Sequence, residues 1–290
     1  MREIFIEELY IAARKNKRIM LVVNDLGYSV IEKFAKDLPR QFINAGVAEQ
    51  NMIGLAAGLA LGGKRVFVYS IGNFPTFRSA EQIRNDIDYH KLPVTIVNAG
   101  AGVGYGNLGY SHHTLQDYSL VRTMPNFLIA SPSNNHEARL CIKYLIKNPQ
   151  PSYLRLIKKS SFKPKINLKN IKPGNWIKIF EKKGKNVFLI TGGASQIIEK
   201  ILKKKNFLNY SLYSMPLWGM KFKNSNKRNI ERWSKIITLE DHFVDGGFGS
   251  WLKENYTGKK TSLVLKGINK EIVGKVGREE YLLTKYFNKI

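Results

Sequence analysis

The sequence predicts two consecutive α/β domains, each built on a parallel sheet, and three observations carry that prediction. Short apolar runs alternate with stretches of helical periodicity from one end of the chain to the other. The alternation lapses over residues 157–184, where Lys, Pro and Gly gather without a period (Lys163-Pro164, Lys172-Pro173-Gly174), as they do in linkers. The 290 residues, 43% hydrophobic and 11% aromatic, are enough for two cores and too apolar for disorder. The first domain is accordingly set at residues 1–160, the linker at 161–184 and the second domain at 185–290.

Taken in order, Phe5, Leu9 and Ala12-Ala13 recur at helical spacing, and Ile19-Met20-Leu21-Val22-Val23 is short and apolar throughout, as a buried strand is. A helix follows near residues 30–36. Residues 47–61 are rich in Ala, Leu and Gly and apolar nearly all round, so a helix here is expected to be buried in the core or against another chain. Strands are expected at 66–69, 94–97, 127–130 and 153–156, with helices near 79–88, 115–122 and 135–146 between them. The second domain starts with the apolar run Val187-Phe188-Leu189-Ile190-Thr191 and continues with strands at 211–213, 236–239 and 262–265.

Composition excludes several classes of function. One cysteine, Cys141, rules out intramolecular disulfides and cysteine-based metal clusters. No apolar run reaches the ~18 residues of a membrane span, and Glu3, Glu7 and Glu8 interrupt the stretch a signal peptide would need. The expected location is cytoplasmic, with no membrane contact. The formal charge of +25 invites a nucleic-acid reading. Residues 1–155, however, carry 18 Lys/Arg against 12 Asp/Glu, and residues 156–290 carry 29 against 10. The excess is mostly Lys beside Asn and Ile, with no nucleic-acid motif, which is the pattern of a solvated lysine-rich surface, with an acidic protein partner as the alternative.

Three motifs carry chemistry. Gly104-x-Gly106-x-x-Gly109 has the spacing of a dinucleotide fingerprint, but Ser111-His112-His113 follows instead of an apolar helix. The residues fit better a glycine-rich loop approached by a ligand or by another backbone. His112 and His113 are adjacent, so their side chains diverge and suit one metal poorly; one of them in a substrate pocket is the functional alternative. In Asn44-Ala45-Gly46-Val47-Ala48-Glu49-Gln50-Asn51-Met52, Glu49 stands at the start of the very apolar helix, either as a charge favoured by the helix dipole or as a carboxyl placed to bind a ring nitrogen and shuttle a proton.

The run Gly46-Val47-Ala48-Glu49-Gln50-Asn51-Met52-Ile53-Gly54-Leu55-Ala56-Ala57-Gly58-Leu59-Ala60 resembles the most distinctive segment of transketolases and deoxyxylulose-phosphate synthases. Further similar motifs stand in the same order: Asn24-Asp25-Leu26-Gly27, Arg78-Ser79-Ala80-Glu81-Gln82-Ile83-Arg84, Gly109-Tyr110-Ser111-His112, Arg122-x-x-Pro125-Asn126, Pro151-Ser152-Tyr153-Leu154-Arg155-Leu156, and Glu240-Asp241-His242 before Gly246-Gly247-Phe248-Gly249. The resemblance spans essentially the whole chain. It implies a pyrimidine-binding domain followed by a transketolase C-terminal domain, with thiamine diphosphate as cofactor. It implies that Glu49 binds the aminopyrimidine ring nitrogen, that Phe74 stacks on that ring, and that Ile71 and Phe77 form the other walls. It further implies Asp25 near the cofactor, His112 facing the substrate, and Ser29 and Arg155 as donors to the phosphate of an acceptor sugar.

Departures from the family pattern fall at the substrate. The acid that precedes by three residues the Thr of the family's Gly-Pro-Thr-His element, and reads sugar hydroxyls, is replaced by Leu108. A histidine at the end of the preceding strand corresponds to about Gly100, and the Pro of that element is Tyr110. The largest departure is the lack of any Gly-Asp-Gly, the element through which the family holds Mg²⁺ and the diphosphate. The resemblance therefore implies one half of a split enzyme: a second, diphosphate-binding N-terminal subunit brings the Mg²⁺, and two copies of this chain form the core of an α2β2 assembly that transfers a two-carbon ketol unit between sugars or sugar phosphates. Two alternatives remain open at this point. One is the β subunit of a 2-oxo acid dehydrogenase or a pyruvate-using synthase, and the other is a non-catalytic basic regulatory or nucleic-acid-binding protein on a degenerate scaffold.

Overall fold

A computed structural model describes residues 1–160, 162–164, 168–254 and 256–290. The first unit runs α1 (Arg2–Lys15), β1 (Ile19–Val23), α2 (Glu32–Asp37), β2 (Phe42–Asn44), α3 (Glu49–Leu61), β3 (Arg65–Ile71), α4 (Asn73–Phe77) and α5 (Ala80–Gln82), which continues as a π-helix over Ile83–Asp88. It is completed by β4 (Val94–Ala99), α6 (Asp117–Val121), β5 (Leu128–Ala130), α7 (Asn135–Lys147) and β6 (Ser152–Leu156). The second unit contains β7 (Ile177–Phe180), β8 (Asn186–Ile190), α8 (Ser195–Leu202), β9 (Ser211–Ser214), β10 (Leu217–Trp218), α9 (Lys227–Glu231), β11 (Lys235–Phe243), α10 (Phe248–Glu254), β12 (Ser262–Ile268) and α11 (Glu279–Tyr286).

Two largely parallel sheets result, in the orders β10-β5-β6-β4-β3-β1-β2 and β12-β11-β8-β9-β7. Strands β1, β4, β5 and β6 are buried at every position. That burial is why their sequences are apolar runs and not alternating patterns. Each sheet ends in one antiparallel strand. Strand β10 comes from the second half of the chain yet pairs with β5, aligning Leu217 with Ala130 and Trp218 with Ile129. Strand β7 pairs antiparallel with β9, although it lies in the segment read as a linker. The second sheet thus draws on residues from Ile177 onward, and the 161–184 linker is shorter than its composition suggested. The reason is local: Ile177-Lys178-Ile179-Phe180, between Trp176 and Glu181, is four residues long, too short for a period to show.

Helix α3 explains its composition by having two apolar faces. Met52, Ile53, Ala56, Ala57 and Ala60 pack against the sheet. On the other side a Cβ added at Gly54 or Gly58 would meet nothing within 4 Å, Leu61 is 68% exposed, and Val47, just before the helix, is 74% exposed. Among the described residues no helix is long and apolar enough to cross a membrane.

Candidate active site

The C-terminal ends of β1, β2 and β3 gather the first group of candidates, at the edge where open α/β sheets hold ligands. Strand β2 ends at Asn44, the chain turns through Gly46 at φ +72°, and Glu49 opens α3. Glu49 is 5% exposed. Its Oε1 accepts from the Asn24 side-chain amide at 3.0 Å, and its Oε2 accepts from the Arg78 guanidinium at 3.0 Å. The carboxylate is therefore not enclosed by Met52, Ile53 and Ala56 of its own helix. Those side chains face the sheet, while the first turn points the acid at two donors. Glu49, Arg78, Val47, Ala48, Gln50 and Asn51 line an open hollow of about 460 Å³. Asp25, at φ +58°, exchanges bonds with Asn44 (its N–H to Oδ1 at 2.9 Å, and Asn44 Nδ2 back to its Oδ1 at 3.1 Å). It is the neighbouring Asn24, whose buried Oδ1 has no partner, that reaches Glu49.

Strand β3 ends at Ile71, which is half-buried, and Gly72 brings the chain into α4. A Cβ on Gly72 would sit 2.2 Å from Thr114 Oγ1, so only glycine allows this approach. Asn73 donates to the His113 carbonyl at 2.5 Å and ties α4 to the turn Tyr110–His112. That tie brings the Phe74 and His112 rings edge to face, with centroids 5.2 Å apart. Burial lowers the pKa of His112, favouring the uncharged ring, and Ser111 Oγ lies 3.0 Å from its Nδ1. The Arg78 guanidinium lies 4.9 Å from the centre of the Phe74 ring while it binds Glu49. One planar group with N–H donors thus touches both the aromatic and the carboxylate. Phe77 is 48% exposed at the end of α4.

The loop after β4 carries the substrate-side candidates. Gly100 has φ +79°, and a Cβ there would fall 2.1 Å from the Tyr105 ring. Tyr105 fills the space in which a histidine side chain would stand. Leu108 is 52% exposed on the same loop. Gly104 and Asn107 form part of the wall of a cavity of about 830 Å³, which also exposes Arg2, Lys158, Lys159 and Arg278 against Glu3 and Glu279. Lys158 places its ammonium 5.3 Å over the Tyr105 ring.

Two expected phosphate donors are elsewhere. Arg155 is fully buried between the sheets. Its Nε binds Asp117 at 2.7 Å and one terminal nitrogen binds Asp241 at 2.8 Å, while the other donates to the carbonyls of Thr114 at 2.8 Å and Asp241 at 3.2 Å. With its donors engaged and no access to solvent, it cannot bind a substrate. Ser29 is exposed at φ +69°, with its N–H on Glu32 Oε1 at 2.6 Å at the start of α2. It lines neither the Glu49 hollow nor the large cavity. Sequence reasoning missed Asn24 and Arg78 as partners of Glu49, though both stand inside motifs already singled out, and it missed the cationic wall formed by Arg2, Lys158, Lys159 and Arg278.

Residues 1–162 match the family "Transketolase, pyrimidine binding domain". The chain is 30% identical to an apulose-4-phosphate transketolase subunit of Phocaeicola vulgatus, covering 94% of this chain and 88% of that protein. It is 26% identical to a 6-deoxy-6-sulfo-D-fructose transketolase subunit of Clostridium sp., over 99% and 89% of the two chains. It is also 29% identical to 1-deoxy-D-xylulose-5-phosphate synthase of Clostridium kluyveri, but spans only 44% of that enzyme. Among solved structures, a split-gene transketolase described as an inactive β4 tetramer superposes with a TM-score of 0.80 at 29% identity, over 98% of this chain and 92% of the other. The transketolase of Campylobacter jejuni, 20% identical, shares the fold with a TM-score of 0.78 over 98% of this chain and 44% of that one. On the family match and the near-complete alignment to one component of a split enzyme, this chain belongs to the transketolase family.

Proposed function

We propose that this chain is the pyrimidine-binding and C-terminal subunit of a two-component transketolase, with its first domain over residues 1–160 and its second reaching back from 185–290 to include β7. The observation that carries the reading is the pairing of a buried helix-start carboxylate, Glu49, with an aromatic wall, Phe74, at a spacing that one planar N–H-bearing group already bridges. That spacing and the unpartnered Asn24 Oδ1 beside it fit the aminopyrimidine of thiamine diphosphate. When bound, the cofactor supplies the carbanion chemistry of ketol transfer. Glu49 holds a ring-nitrogen proton, Phe74 stacks, and Ile71 and Phe77 complete the walls. His112, half-buried, faces the substrate. Asp25 acts through Asn44 at the strand ends and not on Glu49 directly. The cationic cavity takes the anionic end of a sugar substrate, a role for which Arg155 is unsuited by its burial.

The sequence contains no Gly-Asp-Gly, and among the described residues no three His, Cys, Asp or Glu side chains gather as a metal site. In this reading a diphosphate-binding partner subunit holds the Mg²⁺. The uncovered face of α3, with Gly54, Gly58 and Leu61, is the contact with a second copy of this chain, giving an α2β2 enzyme. Stacking and one carboxylate bond contribute only a few kcal/mol, about 0.5–3 each. The chain alone is therefore expected to bind thiamine diphosphate weakly and without Mg²⁺ dependence. Adding the partner should produce tight, Mg²⁺-dependent binding and activity. Calorimetric titration with and without the partner checks this; micromolar Mg²⁺-dependent binding by the chain alone would refute the split.

Leu108 sets a second expectation. An exposed leucine where relatives read a sugar hydroxyl leaves that hydroxyl unpaired, so xylulose 5-phosphate should be a poor donor. Leu108→Asp should improve its kcat/KM at least ~10-fold. Efficient turnover of that donor by the unmodified enzyme would show that Leu108 does not line the donor site.

A further inference from the structure

The glycine-rich stretch Gly102, Gly104, Gly106 and Gly109 has little intrinsic preference for one conformation, yet its own contacts with the second domain define one. After the turn Lys270–Ile272, residues 273–278 cross to this loop and lead into α11. The Gly277 N–H donates to the Gly106 carbonyl at 3.1 Å. Leu282, fully buried, stands so close to Gly106 that a Cβ there would be 2.4 Å from Leu282 Cδ1 and 2.7 Å from the Gly277 carbonyl oxygen. Val276 lies 3.4 Å from the Cβ position of Gly109, which is at φ +83°. The Gly106 carbonyl also faces His113 Nε2 at 3.4 Å, so one peptide group joins the crossing segment, the loop and the residue next to His112. Arg278 and Asn107 then meet in the wall of the cationic cavity.

Resting on the transketolase reading of the His112 loop, we propose that residues 273–282 are a clamp through which the C-terminal domain sets the conformation of that loop. Leu282 and Gly277 are its positioning residues, and Gly106 is a glycine because the clamp seats on it. The C-terminal domain thereby acts on substrate binding without touching substrate through Leu282.

A matched pair of variants separates clamping from ordinary core packing. Leu282 and Leu283 are both buried, on the same helix and in the same apolar cluster, but only Leu282 stands against Gly106. In the full chain, Leu282→Ala should speed hydrogen exchange at the amides of Leu108, Gly109, His112 and His113 by about tenfold or more, and Leu283→Ala should leave them within about twofold of wild type. Gly106→Ala, approaching from the other side, should repeat the Leu282→Ala signature, and Leu282→Met should restore protection. Reconstituted with the diphosphate-binding subunit, Leu282→Ala should raise KM for the sugar about tenfold with a smaller change in kcat, and Leu283→Ala should do neither. Equal loop protection in Leu282→Ala and Leu283→Ala overturns the clamp whatever the activity. A loop loosened by Leu282→Ala alone, in an assembled enzyme that transfers no ketol unit even as wild type, leaves the clamp standing and overturns the transketolase reading instead.

Discussion

Glu49→Gln should lower the turnover of the assembled enzyme by at least ~10²-fold, the scale of lost general acid–base catalysis, with little change in the folded state. The argument rests on what each oxygen does. Asn24 donates to Oε1 and Arg78 to Oε2, and the glutamine amide keeps the shape and one acceptor while losing the ability to hold and release a proton at a ring nitrogen. No charge is left buried by the change, because Arg78 is 56% exposed and free to be solvated. Glu49→Ala should be as inactive but less well folded, since the Asn24 amide then loses its acceptor in a buried position. Steady-state kinetics beside thermal unfolding distinguishes the two losses. A Glu49→Gln enzyme with near-wild-type turnover would remove Glu49 from the chemistry.

Arg155→Met should cost about 3–5 kcal/mol of stability, the range for breaking a buried ion pair from one side. At roughly 2–4 °C per kcal/mol for a chain of this size, the unfolding midpoint should fall on the order of 10 °C. Asp117 and Asp241 would both be left buried without their cation. Asp117 would retain the Tyr153 hydroxyl at 2.7 Å, a longer Asn98 contact at 3.4 Å and the His242 ring at 3.7 Å, and Asp241 the Gly193 N–H at 2.9 Å among its bonds. Burial works against the Arg155 charge, but the two carboxylates outweigh it and hold the guanidinium firmly protonated. Adding Asp117→Asn and Asp241→Asn to Arg155→Met should recover much of the loss, since the uncompensated charges are then gone. Arg155→Lys should also destabilise, because one ammonium cannot span both acids as the guanidinium fork does. A phosphate-binding arginine would behave oppositely: Arg155→Lys would fold normally and raise KM for phosphorylated substrates. Denaturant unfolding and KM measured on the same variants decide between these roles.

The legible part of this protein was local. Ile19–Val23 and Val187–Ile190 announced buried strands because burial on both faces of a parallel sheet demands apolar side chains at every position. The helix that starts at Glu49 read as buried because the solvent side of an ordinary helix is polar, and the structure buries Met52, Ile53, Ala56, Ala57 and Ala60 of it in the core. The short ordered motifs around Glu49 and His112 sufficed to name the family, because catalysis requires particular residue types at fixed spacings along a turn.

What failed to show in the sequence depends on residues distant in the chain. Strand β10 is two residues long and exists only because β5, 87 positions earlier at the Leu217–Ala130 pair, offers it an edge. Arg155 has the sequence surroundings of a ligand-binding arginine, yet Asp117 and Asp241 arrive from 38 and 86 residues away to bury and neutralise it. Tyr105 fills the place over Gly100, and Leu282 gives Gly106 its reason to be glycine, through contacts that no local period encodes. By itself the sequence determined the fold class, the family and the carboxylate at the head of α3, all written in residue types and short spacings. Only the tertiary structure decided which charges face a ligand and which hold the two sheets together, because a charged side chain takes its role from the partners and solvent around it, and chain folding alone determines both.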